Sequence, residues 1–125
     1  MHVIRLRKPW EKTTDPAGLV VRVDVPEEPV QEMQSAELVA HYRRSFHRPT
    51  GLGMSSVYLN ISGWHGRLVV LSLNAKPLPL VDGQTHIRVE VQSLLQAHNQ
   101  LRISLTGTME TPPRLSGEVT LEILD

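Results

Sequence analysis

Between Ser55 and Ile103 this chain reads as four successive strands, and that pattern leaves few folds open. Val57, Leu59 and Ile61 alternate with Tyr58, Asn60 and Ser62, and Ile87, Val89 and Val91 alternate with Arg88 and Glu90. Leu101, Ile103 and Leu105 alternate in the same way with Arg102 and Ser104. Between the first two segments lies Arg67–Asn74, a near-continuous apolar run of Leu68, Val69, Val70, Leu71 and Leu73. Side chains on an extended backbone point to opposite faces in turn, so a period of two marks strands with one face buried. A turn bearing Pro77, Pro79 and Gly83 separates the second segment from the third.

The flanks extend the pattern. His2–Arg7 alternates weakly and reads as an edge strand stopped at Pro9, with Trp10 packed over the domain. Thr13–Gly18 has turn chemistry in Asp15, Pro16 and Gly18. Leu19–Val25 reads as a strand with Leu19, Val21, Val23 and Val25 inward, and Pro26 and Pro29 end it. Val30–Ser35 is long enough for one helical turn. Glu37–Arg48 is a strand with Leu38, Ala40, Tyr42, Arg44 and Phe46 inward. Gln92–Asn99 is a connection with a short helical turn near Leu94 and Leu95, and Leu115–Leu124 closes the chain with Val119, Leu121 and Ile123 inward. About eight strands with turn signals between them predict an all-β fold, a two-sheet antiparallel β-sandwich, over a single domain spanning 1–125.

Composition removes several function classes. Thirteen basic residues balance thirteen acidic ones in 125, so no net field favours nucleic acid or an anionic membrane. There is no cysteine for a disulfide, a thiolate metal site or a thiol nucleophile. No apolar stretch approaches the ~20 residues of a membrane span, and no apolar h-region follows the basic N-terminus, so the expectation is a cytoplasmic protein. The six histidines form no close ligand spacing and no Asp/Asn loop suits calcium, so neither metal nor cofactor is expected. The carboxylates are dispersed, Glu90, Glu118 and Glu122 facing outward on strands, and no G-x-S-x-G elbow occurs. An enzyme is not expected.

The order of short motifs carries a resemblance. Tyr42-Arg43-Arg44-Ser45-Phe46 with Pro49, then Val57-Tyr58-Leu59, then Leu71-Ser72-Leu73-Asn74, then Val89-Glu90-Val91-Gln92-Ser93-Leu94-Leu95, then Asn99-Gln100-Leu101-Arg102-Ile103 follow one another from strand to strand. This series resembles the N-terminal sugar-binding, jelly-roll domain of the β-galactosidase and β-glucuronidase class of glycosidases. It covers roughly Trp10 to Leu105. The resemblance implies a galactose-binding-like sandwich in which Asn74 and Asn99 serve tight turns and Leu94 and Leu95 plug one end. It also implies that the catalytic barrel of those enzymes is missing. Ala75 stands where the family usually has Gly, and Ser72 where it is often aromatic.

Four residues are candidates for a ligand site: Trp64, His65, Arg44 and Asn74. Trp64 lies in Gly63-Trp64-His65-Gly66, where its indole either stacks a sugar ring or folds back as a lid, and the sparse aromatics favour the lid. Arg44 falls among apolar neighbours, so its guanidinium sits at the rim or meets a carboxylate or a ligand. Two functions follow from these features. One is a non-catalytic carbohydrate-binding module. The other is a protein-interaction sandwich, homodimeric through an unprotected edge strand.

Overall fold

The computed structural model describes residues 1–15, 18–29 and 39–125, the backbone alone at Asp15. Ten strands follow one another: β1 (His2–Arg5), β2 (Trp10–Asp15), β3 (Val20–Val23), β4 (Val39–His47), β5 (Ser56–Ile61), β6 (Arg67–Leu73), β7 (Lys76–Pro77), β8 (Ile87–Glu90), β9 (His98–Thr106) and β10 (Val119–Leu124). A single 3-10 turn, Gln92–Leu94, precedes β9. The strands form two antiparallel sheets, one of four in the order β1-β10-β5-β8 and one of six in the order β3-β2-β4-β9-β6-β7. The expected β-sandwich is therefore present, with two more strands than the alternation suggested. Among the described residues no helix is long and apolar enough to cross a membrane.

The inward rows follow from the register. Leu59 pairs with Leu121 and Val89, and Ile4 lies opposite Leu121. Facing them across the sandwich, Tyr42 pairs with Ile103, which pairs with Leu71. Leu59, Leu71, Leu101, Ile103, Leu105 and Leu121 are all buried, and each buried aliphatic side chain of this size contributes roughly 1.5–3 kcal/mol. Trp10 lies wholly inside this core, its indole N–H donating to the Leu6 carbonyl at 2.8 Å.

Three expectations need correction. β2 occupies Trp10–Asp15, part of which has turn chemistry. Its inward positions hold Trp10 and then Lys12, so no apolar alternation marks it. Lys12 is tolerated there because its ammonium meets the Glu27 carboxylate at 2.7 Å. Leu19–Val25 forms only the short edge strand β3, and Leu19 and Val21 are exposed rather than inward, leaving Val25 as the buried member. They lie on or next to the outermost strand of the six-stranded sheet. In β6 a bulge between Leu68 and Val70 leaves Val69 and Val70 exposed. The helical turn expected at Val30–Ser35 and the strand start at Glu37 and Leu38 lie outside the described residues.

One buried polar knot ties the six-stranded sheet to its loops. The Tyr42 hydroxyl donates to Glu27 Oε1 and accepts from the Leu115 amide at 3.2 Å. The Glu27 amide in turn donates to the Leu115 carbonyl at 2.8 Å. Burial first, and then the adjacent Glu27 carboxylate, holds the Tyr42 phenol protonated far above the ordinary tyrosine range.

Candidate ligand-binding site

The four candidate residues divide into two pairs at opposite ends of the sandwich. Trp64 and His65 sit in the connection between β5 and β6, at the start of β6. Asn74 follows the last residue of β6, and Arg44 pairs with Leu101, which pairs with Leu73 at that same far end. Seven residues of strand separate the two ends by about 20 Å. A single site containing all four is not formed.

At the far end Asn74 and Ala75 make the two-residue turn between Leu73 and Lys76, both with left-handed backbone (φ 54° and 66°). Positive φ at both central residues is what a type I′ hairpin requires, and here it forms with alanine in place of the family's glycine. The Asn74 side chain is committed internally: Nδ2 donates to the Leu94 carbonyl and to Asn99 Oδ1, each at 2.9 Å, and Oδ1 accepts from the Gln100 amide at 2.9 Å. Asn99, buried itself, closes the knot by donating to the Gln96 carbonyl at 2.8 Å and accepting from the Gln96 amide at 2.8 Å. Leu95 is buried beside these turns and Leu94 packs against the core, which is the plug that the resemblance implied. Arg44 is half-buried and donates to the Ser45 carbonyl, and among the described residues no carboxylate meets it. Its Nε is enclosed without a partner, and burial pulls the guanidinium below its ordinary range.

At the near end stands Trp64, folded back in part as a lid. It is half-buried and packs against the core, and it also lines an open depression of about 500 Å³. Arg67, Leu80, Val81, Asp82 and Gln84 complete the wall. Gly66 fixes the entry to β6: its φ is +92°, and a Cβ there would collide with the Thr106 carbonyl. The opposite wall is a turn closed by the Val81 amide donating to Gln84 Oε1 at 2.8 Å. Arg67 and Asp82 approach to 3.7 Å across the mouth. His65 points elsewhere, its Nε2 accepting from the Arg114 guanidinium at 3.0 Å. Leu80 and Val81 went unread in the sequence because they fall inside a proline- and glycine-bearing turn. The available signal was two adjacent apolar residues where a turn needs none.

A second hollow, of about 560 Å³, lies on the four-stranded sheet and is lined by Asn60, Thr85, His86, Thr120, Glu118 and Glu122. Asn60 Nδ2 is buried there without a hydrogen-bond partner. Its ring is the His86 imidazole rather than an indole, which separates it from the Trp64 depression. Among the described residues no group of three or more metal-ligating side chains converges.

No protein-family model matches the sequence, and no curated protein does. Solved structures do match. The β-D-mannosidase of Dictyoglomus thermophilum superposes with a TM-score of 0.78 at 16% identity, over 98% of this chain and 22% of that one. A β-glycosidase from Bacteroides vulgatus gives 0.76 at 15% identity over 98% and 20%. The Bacteroides uniformis β-glucuronidase gives 0.75 at 14% identity over 98% and 18%. The chain thus has the fold of one segment of such glycosidase chains and spans about a fifth of their length. Among the described residues the strands form two sheets and no closed barrel.

Proposed function

We propose that this chain is a non-catalytic carbohydrate-binding module whose ligand rests against Trp64. The observation that carries this reading is the depression itself. The Trp64 indole, three aliphatic side chains, Leu68, Leu80 and Val81, and three polar groups, Arg67, Asp82 and Gln84, surround a space of about 500 Å³. Sugars offer apolar C–H faces to rings and hydroxyls to charged or amide side chains, so a partly apolar, partly polar wall suits them. The shared fold with segments of glycosidases supports a sugar over other small polar ligands.

Tryptophan emission tests it directly. Trp10 is fully enclosed and provides a constant background, so a change on adding galactosides, glucuronides or cellobiose reports Trp64. The expected result is a saturable shift that disappears in Trp64→Phe. Unchanged emission with every sugar overturns the reading.

One observation favours a second reading, association through the β3 edge. Leu19, Val20 and Val21 are 70%, 62% and 48% exposed at the outer strand of the six-stranded sheet. An uncovered apolar edge strand is a template for pairing with another strand. A second copy of this chain pairing there would join two six-stranded sheets. Sedimentation gives a dimer if so, and Val20→Lys returns it to monomer; a monomer at every concentration removes this reading.

A further inference from the structure

The register aligns one row of side chains across the outer face of the whole six-stranded sheet. Arg22 lies opposite Glu11, Glu11 opposite Arg43, Arg43 opposite Arg102, and Arg102 opposite Ser72. Three guanidiniums thus share one carboxylate, in a chain whose charges balance overall. Glu11 bonds to Arg43. Arg102 bonds only to the neutral Gln100 amide oxygen, at 3.0 and 3.3 Å. Arg48, just beyond β4, bonds to the Leu95 carbonyl at 3.3 Å. Among the described residues neither Arg102 nor Arg48 nor Arg22 has a carboxylate partner.

Like charges directly opposite on neighbouring strands destabilise a sheet, yet Arg43 and Arg102 are register partners. The four-stranded sheet does not tolerate this. On its outer face Arg88 meets Glu122 at 3.3 Å and Arg5 meets Glu118 at 3.6 Å. A local rule broken on one face and kept on the other marks a place where something is gained from the break.

We propose that this row, with the depression beside it, binds an acidic glycan, a sugar chain bearing carboxylate or sulfate groups. Guanidinium forks bind such planar or tetrahedral oxyanions with two parallel hydrogen bonds. The depression adjoining the row has a volume of about 400 Å³; Ser45, His47, His98 and Gln100 offer polar groups suited to hydroxyls, beside Phe46 and the internally bonded Asn74 and Asn99. His47 and His98 are register partners whose rings stand 4.6 Å apart at 62°. The spacing separates a glycan from an acidic peptide. Arg43 and Arg102 start as register partners from neighbouring strands about 4.8 Å apart, whereas acidic side chains on one side of an extended peptide recur every ~6.8 Å. This site is distinct from the Trp64 depression and does not depend on it.

Calorimetric titration at low ionic strength tests the proposal with tetragalacturonate and a sulfated tetrasaccharide as probes, and galactotetraose and hexaglutamate as comparators. The expected result is that at least one acidic glycan binds, that added salt weakens it, and that Arg102→Glu weakens it roughly ten- to hundredfold. Arg88→Gln on the other sheet and Trp64→Phe leave it unchanged, and circular dichroism confirms that each variant is folded. No binding of either acidic glycan overturns the proposal. So does equal binding by Arg102→Glu, or binding of galactotetraose or hexaglutamate as tight as that of the acidic glycans. Because Trp64→Phe is the variant that abolishes the emission change, the two sites succeed or fail separately.

Discussion

The two sheets use the same alternating code for different ends. In the four-stranded sheet the inward row Ile4, Leu121, Leu59 and Val89 is covered, and the outward arginines Arg5 and Arg88 each face a glutamate. In the six-stranded sheet the middle strands are just as well buried, but the periphery is not. Leu19 and the β3 residues Val20 and Val21 lie in water, and among the described residues Arg22 and Arg102 of the outer row bond to no carboxylate. In the four-stranded sheet the outer arginines Arg5 and Arg88 are paired within the sheet, although Asn60 Nδ2 has no partner. The other presents an apolar edge and positive charge outward.

Substitutions can break this contrast, and the largest effect belongs to the covered row. Leu59→Ala should cost about 2–5 kcal/mol in denaturant unfolding, because a fully enclosed leucine leaves a cavity between the sheets. Val21→Ala, at an equivalent alternating position but at the open edge, should stay within about 0.5 kcal/mol. Comparable losses at the two positions would mean that the β3 edge is covered in solution, the outcome that dimerisation predicts.

Next come the buried polar knots of the six-stranded sheet. Asn99→Ala removes the side chain on which Asn74, Gln96 and the Phe46 carbonyl converge, and should cost about 1–3 kcal/mol. Tyr42→Phe strands Glu27 and the Leu115 amide at similar cost. The knot also predicts a pH dependence. The folded phenol keeps its proton where the unfolded one, near pH ~10, loses it. Unfolding therefore releases a proton in that range: stability from this group is complete below pH ~10 and declines as the pH rises above it. Alkaline unfolding curves of wild type and Tyr42→Phe should differ in slope there, and parallel curves would refute the account.

The smallest effects sharpen the comparison of outer faces. Arg102→Glu should raise stability by about 0.2–1 kcal/mol, because it replaces a like-charge opposition with an attraction to Arg43. The same variant is expected to weaken glycan binding. Arg88→Gln, which removes an ion pair and a guanidinium 3.9 Å from the Tyr58 ring centre, should lower stability by no more than about 1 kcal/mol. If both arginine variants lowered stability alike, the two outer faces would not differ in the way the register implies.

How much could be read before folding depended on whether a residue's neighbours were local. Val57, Leu59 and Ile61, or Leu101, Ile103 and Leu105, announce their burial by alternation alone, because each strand's two faces are decided within the strand. The turn at Asn74 was legible for the same reason, since left-handed backbone is a property of the residue and its neighbours. β2 was illegible because its inward Lys12 reads as polar until Glu27 is placed beside it. Leu19–Val25 misled in the opposite direction: Leu19, Val21, Val23 and Val25 recur at every second position, and nothing in them records that the strand lies at the edge of its sheet. The candidate site suffered most. Trp64 was identifiable as an aromatic in a glycine-flanked loop, but its partners Leu80, Val81 and Gln84 come from a turn more than a dozen residues away.

From the chain alone came the class of fold, an antiparallel sandwich, together with the faces of its central strands and the likeness to a domain of sugar-processing enzymes. Those depend on periodicity and on residues adjacent in sequence. Only the tertiary structure decided that Trp64 and Arg44 stand at opposite ends, and that three arginines from three strands fall into one row. Cross-strand register and sheet extent are set by which strands meet, and no single strand carries that information in its own residues.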